Sequence, residues 1–315
     1  MPELKTHLTY EAQITLMSER GLNFSDTEQV LSTLKRLGYY RLSGYTFPLR
    51  EPGSDNFAPN AKFDDALKLY EFDKKLRNIL FEGLSELETS FRAQVAYILG
   101  RRSAEGHLDP EFLDETSCAA LDSTNGSRTA HEAWLQKFRK LESFAKAEAF
   151  VRHHKDVYEK RIPIWVATEF MDFGNTVKLF QLMKKEDRLE ISEFFGVNND
   201  QAGVFEAWMI ALNDLRNKCS HHNRIWNSKS AIPKKPATSM VSYTFWHLLE
   251  QDDEKLSRIY ARVIVLAYLL RSSQNSNRWS SEAKQTFLGF GTVFEFTVEN
   301  YMGFPDRWES LPIWN

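Results

Sequence analysis

Residues 64–99 read DDALKLYEFDKKLRNILFEGLSELETSFRAQVAYIL, and this stretch decides the class of fold. At 100° per residue, its apolar side chains fall on one face of a helix. These are Ala66, Leu69, Leu76, Leu80, Leu84, Leu87, Phe91, Val95 and Ile98. We therefore predict a single long amphipathic helix whose apolar face lies in the core of the protein.

Charged residues interrupt this apolar face. Asp73, Arg77 and Glu88 lie inside it, and Arg92 lies at its edge. Asp73 precedes Arg77 by four residues, as Glu88 precedes Arg92, so each pair can neutralise itself across one helical turn. A charge on a core face needs a partner or a function. Two interpretations follow: two buried ion pairs lock the packing of the helix, or some of these side chains line a polar site.

The rest of the chain also shows helical periodicity. Only 14 Gly and 10 Pro occur in 315 residues, and few segments alternate with the period of a strand. We predict an all-α bundle with a short hairpin near residues 45–58 as its only other element, and with the 64–99 helix packed on a 201–220 helix. Aromatic residues in the last 13 residues indicate a C-terminal tail docked on the bundle. Further helices are expected near 130–154, 164–183, 186–195, 239–250, 254–271 and 280–288.

Residues 1–60 form a predicted N-terminal helical unit, and residues 61–315 form the main helical domain. One short helix runs from about Thr9 to Glu19, and a second starts at the capping pattern Ser25–Glu28 and ends near Gly38. The pair is similar in shape to a helix-turn-helix, which leaves a transcriptional or protein-interaction module open.

The segment that follows this helix pair mixes aromatic rings with a cation. Tyr39, Tyr40, Arg41 and Tyr45 have the composition of surfaces on which single-stranded RNA stacks. We therefore regard the N-terminal unit as a candidate RNA-contacting surface. The alternative is that these rings form a hydrophobic plug on the bundle.

Composition excludes several classes of protein. The 40 basic and 43 acidic residues give a net charge of -3, so an anionic partner must be bound by a local patch. Two cysteines exclude a disulfide scaffold and a Cys-rich zinc module. The longest apolar run, Val263–Leu270, is too short to span a bilayer, and Met1–Lys5 starts no signal peptide. We expect a cytoplasmic protein with no membrane contact, no metal site and no cofactor.

The segment richest in side chains that could bind a phosphate or transfer a proton is 214–227, DLRNKCSHHNRIWN. It places three cations (Arg216, Lys218 and Arg224) and two imidazoles (His221 and His222) near the end of an amphipathic helix. Asn217 and His221 are four residues apart and share the face opposite to the apolar one. If the helix continued through His222, that ring would join the apolar face with Cys219, whose position there favours packing over catalysis.

These residue types suit the cleavage of a phosphodiester without a metal. Histidine can move a proton at the ribose 2′-hydroxyl or at the leaving oxygen, and an arginine fork can hold the phosphate. The amide of Asn217 can orient the imidazole or bind a phosphate oxygen. The alternative is a purely structural role, in which the cations complement the helix dipole at the C-terminus of the helix.

A family resemblance adds to this interpretation. Arg216-Asn217-x-x-x-His221 looks like the motif of HEPN-domain ribonucleases, and residues 215–227 resemble the Abi-like (abortive infection) proteins of the AbiD and AbiF type. Four further blocks resemble the same family in order. They are Leu37–Tyr45, Tyr70–Arg92, Pro163–Gly174 and Gly303–Trp308.

The resemblance implies an all-helical HEPN-like fold in which two motifs meet across a dimer, or across two domains of one chain, to form one RNA-cleaving site. This chain has one convincing motif, so a homodimer is implied, with Arg216, Asn217 and His221 as catalytic residues. It further implies a toxin of a bacterial phage-defence system, with RNA as substrate and, in some members, a small non-coding RNA as regulator. The alternative is a non-catalytic member that holds a regulatory RNA.

Other residues are assigned supporting or binding roles. His222, Glu88 and Arg92 are candidates to support the site, and Glu169 is a second acidic candidate, although a structural partner also explains either carboxylate. Arg152-His153-His154-Lys155 is a candidate RNA-facing patch or a solvated basic face. The predicted RNA-binding residues are Lys218, Arg224, Tyr39, Tyr40 and Arg41.

Overall fold

The computed structural model describes residues 6–122, 126–158, 161–198, 202–236, 245–274 and 276–315. Within these ranges the regular structure consists of helices and isolated β-bridges, so the predicted all-α class is confirmed. The α-helices are α1 (Tyr10–Glu19), α2 (Thr27–Leu37), α3 (Tyr39–Thr46), α4 (Phe63–Arg102), α5 (Glu115–Ala119), α6 (Ala130–Ala145), α7 (Ala149–Val157), α8 (Ile164–Phe170), α9 (Phe173–Leu182), α10 (Lys185–Phe194), α11 (Ala202–Ser220), α12 (Trp246–Leu249), α13 (Asp253–Ser257), α14 (Ile259–Gln274), α15 (Arg278–Leu288) and α16 (Val298–Met302).

Parts of three predictions lie outside the described residues. These parts are residues 1–5 of the N-terminal unit, residue 201 of the 201–220 helix and residues 239–244 of the 239–250 helix.

Helix α4 is the centre of the bundle. All nine predicted apolar residues of its stripe are buried, and so are the charged Asp73, Arg77 and Glu88. Helices α3, α8, α11, α14 and α15 pack around it. The 64–99 prediction is therefore confirmed, with the helix three residues longer at its C-terminal end.

Helices α4 and α11 pack side by side, as predicted. The Phe91 and Phe205 ring centroids are 6.1 Å apart, Arg216 contacts Glu88, and Arg77 contacts the Asn223 carbonyl. Residue numbers rise along α11 while their partners on α4 fall, so the two helices are antiparallel. This arrangement brings the end of α11, which carries the 216–221 motif, against the first half of α4.

Several predicted helices are divided. The 130–154 prediction becomes α6 and α7, separated by residues 146–148, and 254–271 becomes α13 and α14. The 164–183 prediction becomes α8 and α9 because the Asp172 side chain accepts the Asn175 N–H at 2.6 Å and starts a new helix. The predicted hairpin near 45–58 is reduced to a single bridge between Arg50 and Phe57.

The N-terminal segment turns sharply between α2 and α3. Gly38 lies there with φ of 77°, a conformation that side chains with a Cβ disfavour, and α3 starts at the next residue. Helix α3 then packs on α4. The segment at 39–46 is thus a helix lying on the bundle beside the end of α11.

The C-terminal tail docks on the bundle, as predicted. Phe304, Trp308 and Trp314 are buried, and Phe287 of α15 contacts Phe304 with ring centroids 4.6 Å apart. Burial of these large rings stabilises the end of the chain against α14 and α15.

Candidate functional site

Helix α11 ends in a Schellman motif at the centre of the candidate segment. The N–H of Asn223 donates to the Lys218 carbonyl at 2.9 Å, and the N–H of His222 donates to the Cys219 carbonyl at 3.1 Å. His222 has φ of 55°, so it occupies the left-handed position that usually holds glycine. The expectation that its ring joins the apolar face is wrong: the helix ends at Ser220, and His222 is exposed.

Asn217 and His221 lie on the exposed face of α11. Both side chains are solvent-exposed, as the helical wheel predicts. Ile210 and Asp214 precede them on the same face and are exposed as well. The motif is therefore presented outward, where a substrate or a second chain can reach it.

Arg216 is held between α11 and α4. Its Nε donates to Glu88 Oε2 at 3.3 Å, and its guanidinium lies 6.0 Å from the centroid of the Phe81 ring. Glu88 also binds Arg92, which donates in addition to the Met171 carbonyl at 2.5 Å. One buried carboxylate thus orients two guanidinium groups, and the Arg216 side chain remains partly exposed.

The second ion pair on α4 has a structural role. Asp73 is fully buried and binds Arg77, and its Oδ1 accepts the N–H groups of Ile225 at 3.0 Å and Trp226 at 2.8 Å. Its Oδ2 accepts the Tyr45 hydroxyl at 2.7 Å. Burial and then the adjacent carboxylate raise the pKa of Tyr45, so the phenol stays protonated and donates.

The chain that follows the motif is fixed by three arginines. Arg41 of α3 donates to the His222 carbonyl at 2.8 Å, and Arg77 donates to the Asn223 carbonyl at 3.3 Å. Arg224 reaches back and donates to the Gly44 carbonyl of α3. Helix α3 and the motif segment therefore form one hydrogen-bonded unit.

A groove of about 810 Å³ lies between α3 and the motif segment. It collects three predicted RNA-contacting residues of α3 (Tyr39, Tyr40 and Arg41) with His222 and Arg224. Tyr40 is 92% exposed, so its ring face is open to solvent. Tyr45 is buried, so for this ring the plug interpretation is correct and the stacking interpretation is wrong.

The groove also contains residues that sequence reasoning missed. Arg20 and Arg50 both pair with Asp55, at 2.9 and 2.8 Å, and Phe47 is an exposed ring in the same wall. Four guanidinium groups thus border the groove against one carboxylate, which makes it locally basic. No spacing pattern predicts this cluster, because Arg20 and Arg50 lie in loops far apart in the sequence and only the fold brings them together.

A match to a known protein family covers this arrangement except for Arg20. A family model of Abi-like proteins matches residues 32–227, more than half of the chain, from α2 through the motif segment. The chain belongs to the Abi-like protein family. This membership connects it with abortive infection. No curated protein and no solved structure matches the chain.

Lys218 of this Abi-like chain points away from the groove. Its ammonium group pairs with Asp214 at 2.8 Å and donates to the Ser230 hydroxyl. It is not among the residues that line the groove. Cys219 is buried, and burial raises the pKa of its thiol to about 12, in keeping with a packing role.

The remaining candidates of the Abi-like chain lie apart from the motif. Glu169 is exposed on α8, where it lines a different groove with Trp165. His154 stacks on Tyr158 with ring centroids 5.1 Å apart. Among the described residues, no group of three or more His, Cys, Asp or Glu side chains is arranged to hold a metal. In the same part of the chain, no helix combines the length and apolarity that a membrane crossing needs.

Proposed function

We propose that this Abi-like chain is a metal-independent endoribonuclease that acts in the bacterial cytoplasm as the toxin of a phage-defence system. One observation carries the proposal. Arg216 in the last turns of α11 and the exposed His221 just after this helix are five residues apart, beside a basic and aromatic groove that includes His222. A proton-transfer group, a phosphate-binding group and a surface for RNA are thus adjacent.

The reaction is an in-line attack of the ribose 2′-hydroxyl on the adjacent phosphorus. His221 moves the proton, either from the 2′-hydroxyl or to the leaving 5′-oxygen. Arg216 holds the phosphate and stabilises the charge that develops on its oxygens, and Asn217 binds a phosphate oxygen or orients the imidazole. The products are a cyclic 2′,3′-phosphate and a 5′-hydroxyl.

Supporting residues act through the catalytic ones. Glu88 pairs with the guanidinium group of Arg216 and fixes its position. Arg92 pairs with Glu88 and donates to the Met171 carbonyl, and it thereby holds Glu88 in place. His222 lines the groove, at the place where an RNA strand would pass from the groove to the motif. Lys218 pairs with Asp214, so it binds RNA only where a phosphate displaces that carboxylate.

Assembly as a homodimer follows from the single motif in each chain, if the site is of the HEPN type. A two-fold axis near Arg216 and His221 would bring both copies of the motif together. Ile210 on α11 and Phe81 on α4 are exposed apolar side chains that flank the motif, as expected for the core of such an interface. In this arrangement each protomer provides half of one site.

The decisive experiment is an RNA cleavage assay in EDTA with mapping of the cut ends. His221→Ala should lower the rate by about 10²- to 10⁴-fold without loss of stability, because the side chain is exposed. His7→Ala, another exposed histidine, is the matched control and should cleave like the parent. Arg216→Lys keeps the charge but loses the fork, so it should restore little activity.

DNA of the same sequence should remain intact because it lacks the attacking hydroxyl. A folded His221→Ala variant that cleaves at the parent rate would show that the assigned residue is wrong. Activity that disappears with chelator and returns with Mg²⁺ or Mn²⁺ would show that the mechanism is wrong and would favour the acidic residues Glu88 and Glu169.

Dimer formation has its own test. Sedimentation should give twice the mass of the chain, and Ile210→Glu should produce a monomer that has lost cleavage while keeping His221. Leu288→Glu, at another exposed apolar side chain, should remain dimeric and active. A parent that is monomeric at high concentration and fully active would contradict the dimer.

A second function is favoured by the groove itself. Its rings and guanidinium groups can bind RNA whether or not His221 moves a proton, as a non-catalytic holder of a small structured RNA would do. The His221→Ala variant distinguishes the two functions. RNA binding that survives His221→Ala, in a parent that never cleaves RNA, would select the holder.

A further inference from the structure

An aromatic surface lies on the bundle away from the motif groove. Tyr97 of α4 is 65% exposed, Trp165 of α8 is 51% exposed, and Tyr158 after α7 is 49% exposed. Exposed apolar side chains that cluster indicate a binding surface, whereas single ones do not. We call Tyr97, Trp165 and Tyr158 the Trp165 surface.

Trp165 borders two grooves at once. On one side its ring lies over small residues of α4, Ala93, Ala96 and Gly100, in a groove of about 510 Å³ that also includes Tyr97. A Cβ at Gly100 would lie 3.4 Å from the indole ring, an ordinary van der Waals distance, so the indole packs directly against this turn of α4. On the other side, a groove of about 340 Å³ contains Tyr158, His154 and Arg161. Trp165 therefore lies between the two grooves, with Tyr97 in one and Tyr158 in the other.

Unpaired cations accompany the rings. Arg161 lines the second groove, and Arg152 lies on the exposed side of α7. Within the described residues neither guanidinium has an ion-pair partner. Of the Arg152–Lys155 patch, His154 stacks on Tyr158 and lines the second groove with Trp165, whereas Lys155 pairs with Glu142.

An uncharged path connects this surface with the motif. Phe81 contacts the Arg216 guanidinium, and from there every fourth residue of α4 is exposed and uncharged up to Tyr97. The exposed residues of the path are Phe81, Ser85, Thr89, Ala93 and Tyr97. Sixteen residues of helix span about 24 Å, which is about seven nucleotides at a stacking rise of 3.4 Å.

We propose that the Trp165 surface binds a single-stranded segment of RNA whose scissile phosphate lies at Arg216. The inference rests on the proposed function and extends it to the substrate class: an unpaired strand that crosses α4. Bases stack on open aromatic rings regardless of sequence, while guanidinium groups follow the backbone. An RNA duplex keeps its bases stacked on one another and offers no free faces to these rings.

The test compares two lengths of single-stranded RNA by fluorescence anisotropy. A strand of about 16 nucleotides spans the path, and one of about five does not. The protein carries His221→Ala, which prevents cleavage during the measurement. Trp165→Ala should weaken binding of the long strand by about 5- to 150-fold and leave the short one unchanged, and Trp165→Phe should retain most of the affinity.

Phe144 provides the matched control, since it is 70% exposed and lies outside both grooves. Phe144→Ala should bind both strands like the parent. The inference would be overturned if Trp165→Ala and the parent bound the long strand with equal affinity. It would also be overturned if Trp165→Ala kept its RNA affinity but no longer self-associated. If the parent protein binds neither strand, the proposed function is wrong, and this inference, which rests on it, is wrong as well.

Discussion

At the scale of the residue, the backbone of His222 is the unusual feature of the motif segment. It ends α11 in the left-handed conformation that glycine adopts without strain, and Arg41 fixes its carbonyl. A residue other than glycine in this conformation costs roughly 1 kcal/mol. Such strain is often found at functional sites, where the side chain is needed at that position. The imidazole of His222 opens onto the groove, which agrees with its assignment as a supporting residue.

His222→Gly should therefore separate stability from function. Because glycine relieves the strained conformation, the free energy of unfolding should rise by about 0.5–1 kcal/mol in urea titration. RNA cleavage should fall, since the imidazole is gone. A variant that is both more stable and equally active would show that His222 serves only to end the helix.

Glu88 connects the core to the motif. It is nearly buried and binds both Arg92 and Arg216. Glu88→Gln should lower the free energy of unfolding by about 2 kcal/mol, because two guanidinium groups lose their charged acceptor. It should also lower the cleavage rate, because Arg216 is no longer oriented.

Glu86→Gln is the matched control for this change. Glu86 is two residues earlier on α4 and pairs with the exposed Arg278. Its replacement should change the stability by less than about 1 kcal/mol in the same urea titration. Equal effects of the two substitutions would contradict a special role for Glu88.

At the scale of the element, helix α3, helix α4 and the segment after α11 are joined by one buried carboxylate. Asp73 of α4 accepts hydrogen bonds from Tyr45 of α3 and from two backbone N–H groups of the segment. Arg77 completes the set and reaches the Asn223 carbonyl. The position of the motif segment therefore depends on a network that lies beneath it, and α3 is held to the same network.

Asp73→Asn should be far more destabilising than Tyr45→Phe. The first change leaves Arg77 without its charged partner in the core, at a cost of about 3–5 kcal/mol, whereas the second removes one hydrogen bond, at about 1–2 kcal/mol. The effects should not add in the double variant, since both remove the same contact. Equal losses of stability in urea titration would rule out Asp73 as the centre of the network.

At the scale of the whole molecule, the fully buried His107 and the partly buried His247 make folding depend on pH. His107 is fully buried against Trp134 and Phe138, and burial lowers its pKa to about 3. Burial lowers the pKa of His247 to about 4. Both rings are neutral in the folded protein, while in the unfolded chain they take up a proton near pH 6.5.

Stability should therefore fall as the pH drops below 6.5, because only the unfolded chain binds these protons. From pH 7.5 to 5.0 each histidine should cost about 2 kcal/mol of the free energy of unfolding. His107→Leu and His247→Leu should each remove about that share of the pH dependence, measured by urea titration at both values. Variants with the same slope as the parent would show that other groups are responsible.

The sequence alone determined the helical class, the long central helix and the two ion pairs on it. The reason is that these features depend on spacing within one helix, where the periods of 3.6 residues and of i,i+4 pairs apply directly. The exposed face shared by Asn217 and His221 was predictable on the same ground. The sequence did not show whether each ion pair is structural or part of a site. The answer depends on Tyr45 and Arg216, which lie on other helices.

Tertiary structure alone decided the surroundings of the motif. The end of α11 at Ser220 turned His222 outward, since a backbone that enters the left-handed region no longer follows the helical wheel. The basic groove gathers Arg20, Arg50 and Arg224 from three separate loops. Trp165 of α8 lies against Gly100 of α4 because these two helices pack together in the fold. Contacts between residues far apart in the chain carry no local period, so the fold has to bring them together before they can be seen.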